Sequence, residues 1–154
     1  MLFVFILAIQ SASARDYVET RDANTEDVAS EQDTPLRAGR KAIAANDWPT
    51  AIILLQKAVL QEPNNPDGFN LLAYSYRKQA KPDIEKAFEN YRMALKLDPK
   101  HKGAHEYIGE AYLMVKQPVE AEKHLALLAS ICGNKTCEEY EDLAKAIAEY
   151  NKKQ

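Results

Sequence analysis

The chain has 154 residues, 46% of them hydrophobic and 28% charged, with a formal charge of −3 and an isoelectric point near 5.7. That size and balance are those of one globular unit able to bury a core of its own. The lack of a basic surplus excludes the electrostatic footprint of a nucleic-acid-binding domain.

Leu2 to Ile9 form an apolar run that ends in small residues, with Ala12-Ser13-Ala14 in the pattern at which secretory signals are cut. The run is far shorter than the roughly 20 residues that span a bilayer, and no later stretch approaches that length. Residues 1–14 are therefore expected to be a secretory signal. The protein is then exported, periplasmic or secreted, with no stable membrane insertion after cleavage. No Lys or Arg precedes the run, its one departure from the form of a signal. Residues 15–33 carry seven acids against Arg15 and Arg21, a net −5, with few apolar residues and no helical period. That is the pattern of a solvated acidic leader.

From Thr34 onward apolar residues recur at helical spacing, in segments separated by Pro and by Asn or Asp, and nothing alternates like a strand. Thr34-Pro35, Asn65-Pro66-Asp67 and Asp98-Pro99 each join a capping or turn residue to a proline that can start a helix but not continue one. The pattern predicts helices near 35–45, 50–61, 67–79, 83–97, 102–115 and 118–131. A seventh, over 137–151, follows from Tyr140, Leu143, Ile147 and Tyr150 on one apolar stripe, with Thr136 and Glu139 in capping-box register.

Three segments repeat one template. Gly39, Ala51, Leu55, Ala58 and Pro63 make the first; Phe69, Leu72, Ala73, Tyr76, Ala87, Tyr91, Ala94 and Pro99 the second; His105, Ile108, Gly109, Tyr112, Ala121, Leu125 and Leu128 the third. The chain resembles the tetratricopeptide repeat family, whose period is about 34 residues, and in particular its small exported bacterial members. The resemblance implies an all-α, right-handed solenoid over 34–151, with helix-turn-helix repeats at about 32–65, 66–101 and 102–133 and the last helix as a polar cap. Small residues such as Ala51, Ala58, Ala87, Ala94, Gly109 and Ala121 then let paired helices approach, while Leu55, Tyr91 and Leu125 fill the space between neighbours. Two departures stand out: the second repeat carries two extra residues near Lys81-Pro82, and Gly133 replaces the closing proline of the third.

In this family the first helix of each repeat lines a concave groove that holds another protein or peptide. Carried over, the groove positions include Arg40, Asn70, Tyr74, Arg77, Glu106 and Glu110, with Arg40 and Arg77 clustered around Asn70 and Tyr74. Arg and Tyr are over-represented at binding hot spots. The carboxylate clamp of chaperone-binding members is not reproduced, because Leu36, Leu71 and Gly103 stand at its Lys and Asn positions. The expected function is a noncatalytic scaffold or adaptor that needs no cofactor and serves in assembly of an envelope complex. Association into homodimers through exposed repeat faces stays open.

Other residues compete with that reading. Cys132 and Cys137 flank a Gly-Asn turn, and in an oxidising compartment they are expected to bond and pin the cap helix, a loop closure that contributes about 2 kcal/mol. A redox role is the alternative, but the spacing is not C-x-x-C. His101 and His105 fall at i and i+4, the spacing of two metal ligands on one helix; no third ligand is evident, and no metal site is assigned. Trp48 is expected to close the first helix pair, and Met93 and Met114 to fill core or groove.

Overall fold

Prolines and short polar side chains set where the helices begin. The computed structural model describes residues 34–154, and the signal and leader expected over 1–33 lie outside the described residues. The described residues form seven helices and no strand: α1 (Pro35–Ala44), α2 (Trp48–Gln61), α3 (Pro66–Lys78), α4 (Ile84–Leu97), α5 (Lys102–Met114), α6 (Pro118–Cys132) and α7 (Glu138–Asn151). Thr34, Asp47, Asn65 and Asp83 each accept a backbone N–H of the first turn at 3.1–3.3 Å, which satisfies a donor the helix cannot. Pro35, Pro49, Pro66 and Pro118 occupy first-turn positions, where a missing N–H costs nothing.

Of the two roles open to it, Asp98-Pro99 takes the turn: Asp98 follows the end of α4 and accepts the Lys100 N–H at 2.9 Å, and His101 becomes the α5 cap. Thr136 and Glu139 do not form a capping box. The Thr136 N–H is bound to Asn134 Oδ1 at 3.1 Å, so the chain enters α7 one residue later, with Cys137 as the cap residue.

The helices pair as α1–α2, α3–α4 and α5–α6, and successive pairs stack so that α1, α3 and α5 form an inner layer and α2, α4 and α6 an outer one. The cap helix α7 packs on both α5 and α6. Lys102 lies 3.6 Å from Glu139 near the starts of α5 and α7, so α7 runs alongside α5 as the next inner helix. The turns within the first and third repeats span three residues and reverse the chain through left-handed Asn46 (φ 55°) and Lys116 (φ 60°). The turn from α3 to α4 spans Gln79 to Asp83, longer by the two residues expected, and contains no left-handed residue.

Ala51, Ala73, Ala87, Ala94, Ala104, Ala111 and Ala121 are fully buried at helix contacts, around Leu55, Tyr91, Ile108, Leu128 and Leu143. Gly109 is the tightest approach: a Cβ there would stand 2.6 and 2.8 Å from the Leu143 methyls, so its hydrogen is what lets α7 dock on α5. Leu143 and Ile147 of the predicted stripe join Ala121 and Leu128 in a second core cluster, with Tyr140 and Leu125 partly buried against it. Met93 and Met114, expected to fill core or groove, are exposed by 38% and 47% because they point away from the helix contacts.

Candidate functional site

The inner layer brings the first helices of the repeats side by side, and their facing side chains form three polar or aromatic contacts from one end of α3 to the other. At the start of α3, Asp67 accepts from Arg40 Nη2 at 2.6 Å and pairs with His101 Nε2 at 3.0 Å. His101 Nδ1 accepts the Ala104 N–H at 3.1 Å as the α5 cap, which assigns the ring hydrogen to Nε2 and makes that nitrogen the donor to Asp67. One carboxylate thus ties α1, α3 and the cap of α5 together, in a half-exposed position where such contacts contribute about 0–1 kcal/mol.

At the middle of the face the aromatic rings of Trp48, Tyr74 and Tyr107 form a half-buried row. Tyr74 meets Trp48 edge-on with centroids 5.9 Å apart and Tyr107 at 4.8 Å. Beneath them lies Arg77, 7% exposed, its guanidinium 5.4 and 5.6 Å from the two tyrosine rings. Arg77 Nη2 makes an ion pair with Glu110 at 2.6 Å, and Nε donates to the buried Tyr91 hydroxyl at 3.2 Å. Burial opposes the Arg77 charge, but Tyr91 and Glu110 more than offset it and hold the guanidinium protonated. Burial also raises the Tyr74 hydroxyl and pushes Tyr107 up to about 12, so both remain neutral donors. The result is a fixed amphipathic surface on an immobilised cation.

Glu106 is the third feature. It is 7% exposed, and among the described residues no donor pairs with its carboxyl. Burial, then the charges of Glu110, Asp142 and Glu139, push it up to about 8, against a smaller opposing effect of Arg77. Beside it, Glu110, Asp142, Lys145, Ala146 and Glu149 line an open cleft of about 240 Å³ between α5 and α7.

The six groove positions therefore do not form one open patch. Arg40 is exposed midway along α1, paired with Asp67 at the start of α3, and Arg77 is buried ten residues beyond Asp67, roughly 15 Å along the helix axis; the expected Arg40–Arg77 cluster does not form. Asn70 is 5% exposed with its Oδ1 unpaired, packed where Gly103 leaves room. Sequence reasoning missed Tyr107 and placed Trp48 within its own repeat, whereas the indole reaches Tyr74 of the next. The signal for both was an aromatic residue beside a groove position in each repeat. His101 and His105 do not converge. His105 Nε2 donates to the Pro99 carbonyl at 3.0 Å, so its Nδ1 accepts from His124 Nδ1 at 2.9 Å on the far side of α5. Cys132 and Cys137 face one another across Gly133, their Cα atoms 6.2 Å apart, within disulfide reach.

Compared with known proteins, residues 44–126 match the family model described as anaphase-promoting complex, cyclosome, subunit 3, which is of tetratricopeptide type. The chain belongs to this tetratricopeptide family. No curated protein matches it in sequence. Among solved structures, the TPR2B domain of yeast Sti1 in its complex with pHsp70 superposes with a TM-score of 0.69 at 16% identity, over 78% of this chain and 95% of that one. The Sgt2 TPR domain of Aspergillus fumigatus gives 0.68 at 24% identity, over 80% and 78%. The type III secretion translocator chaperone SycD of Yersinia enterocolitica gives 0.66 at 15%, over 86% and 95%. At these identities the likeness is one of fold. Within the tetratricopeptide frame, Leu36 and Leu71 at two clamp positions pack against the first core cluster and present no donor to the groove.

Proposed function

We propose that this tetratricopeptide chain is a noncatalytic scaffold that holds an extended polypeptide across its inner face, with Trp48, Tyr74 and Tyr107 as the contact row. Solenoids of this kind generally use their concave faces to bind other proteins. The observation that carries the reading is the aromatic row itself: three half-buried rings from three repeats, in mutual contact at 5.9 and 4.8 Å and fixed from below by a buried guanidinium. Large rigid aromatics on a preorganised base are what anchors of protein interfaces require, because little side-chain entropy remains to be lost on binding. The apolar run at 2–9 and the facing Cys132 and Cys137 support action in an exported, oxidising setting, with the cysteines bonded and envelope assembly as the process served.

The test is a selection of random dodecapeptides displayed on phage against the chain beginning at Arg15. Peptides retained by the native protein and weakened at least about tenfold by Tyr74→Ala and Tyr107→Ala, in variants whose circular dichroism is native, establish the face. Binders indifferent to both substitutions overturn it.

A further inference from the structure

We propose that Glu106, with Asp142 and Glu110 beside it, receives a cationic side chain of the bound polypeptide, so that the partner is a basic segment with a Lys or Arg at a fixed register against α5 and α7. The proposal rests on the inner-face reading above and specifies its partner's chemistry. Glu106, a residue only 7% exposed whose carboxyl has no donor among the described residues, is costly to ionise, since burial without a compensating donor loses hydration. Two of the cations around it are already engaged. From α3, Arg77 is committed to Glu110 at 2.6 Å; from the start of α5, Lys102 is committed to Glu139 at 3.6 Å. From α7, Asp142 adds a second carboxylate with no described partner, and Lys145 lies a turn further on, at the cleft wall with Glu149. The Glu106 oxygens are not sealed from solvent, and Glu106 lies one turn before Glu110 of the cleft lining on α5. A donor with two or three hydrogens and a positive charge fits that vacancy: an ammonium or guanidinium arriving from the cleft would pair Glu106 and Asp142 together.

The chain's own leader is the wrong occupant, because residues 15–33 carry a net −5 and would be repelled. A basic partner is attracted to a site where Glu110, Glu139, Asp142 and Glu149 outnumber Arg77, Lys102 and Lys145, and its cation then favours the ionised form of Glu106.

The same displayed-peptide selection, run in parallel on the native chain and on the Glu106→Gln/Asp142→Asn variant, tests this. The native chain should enrich peptides with Lys or Arg at one register, and synthetic copies of them should lose about tenfold or more in affinity with the variant, while replacing that basic residue by Gln should abolish the difference. In NMR titrations the bound basic peptide should also lower the Glu106 midpoint. Groove-binding peptides with no basic preference, or a preference unchanged in the variant, overturn the cation site and leave the inner face standing as a binding surface. Absence of any peptide sensitive to Tyr74 and Tyr107 overturns both. Gln and Asn at these positions remove like charges, so loss of the fold does not obscure the result.

Discussion

Replacing Glu106 by Gln should make the protein more stable at neutral and alkaline pH and change little in mild acid. The folded protein holds this carboxyl at about 8, against an ordinary value of 4.5. The folded state therefore binds a proton more tightly than the unfolded chain. The protonated group's contribution is fully present below the unfolded value and is lost as pH rises through the folded one. At about 1.36 kcal/mol per unit, the full shift amounts to roughly 5 kcal/mol. The carboxyl oxygens retain a path to solvent and the helix ends can relax, so screening reduces this to about 1–3 kcal/mol. Gln keeps the shape and never ionises. Thermal melts followed by circular dichroism at half-unit steps from pH 4.5 to 9 should show the two proteins together in acid, and Glu106→Gln ahead by about 4–10 °C at pH 9. Parallel profiles, or a variant less stable at pH 9, would refute the premise that Glu106 is buried without a partner.

Four further outcomes follow from the same structure. His124, half-buried against His105, is held down at about 4, so the native chain should lose about 1–2 kcal/mol as pH falls from 6.5 toward 4, and His124→Gln should flatten that limb of the urea-midpoint profile. Gly109→Ala places a Cβ 2.6 Å from Leu143 and should cost about 1–3 kcal/mol in urea melts, with the double change to Gly109→Ala/Leu143→Ala less costly than the sum of the singles. Lys116→Gly relieves a left-handed residue at φ 60° and should stabilise by about 0.5–1 kcal/mol, measured the same way. Cys132→Ser/Cys137→Ser should lower stability by about 2 kcal/mol, and the native chain should resist thiol labelling until it is reduced.

Much of this architecture was legible in the order of residues, because helix starts and stops are decided within a turn. Pro35, Pro49, Pro66 and Pro118, and the capping side chains Thr34, Asp47, Asn65 and Asp83, act on backbone groups two or three positions away. Where two local roles competed, the order of residues left the outcome open: Asp98-Pro99 reads as a cap or a turn, and the Asp98 side chain is spent on a turn while His101 caps α5. The Thr136 capping box does not form, because its N–H is taken by Asn134.

The sequence by itself determined the helices, the repeat and the small residues at their contacts, since these follow from spacing of i+3 to i+4 and from a period a reader can count. The site was decided by tertiary structure. Arg40 and Arg77 are both groove positions by the repeat but end at opposite ends of α3; Trp48 belongs to one repeat and touches the next; His105 turns to His124 and away from His101. Most decisively, Glu106 becomes a buried, unpaired carboxyl once α7 docks beside α5 through Gly109 and brings Asp142 and Glu139 against it. Burial and charge environment are properties of neighbours that lie 19 to 36 residues away along the chain, set by how helices stack, and no local pattern carries that distance.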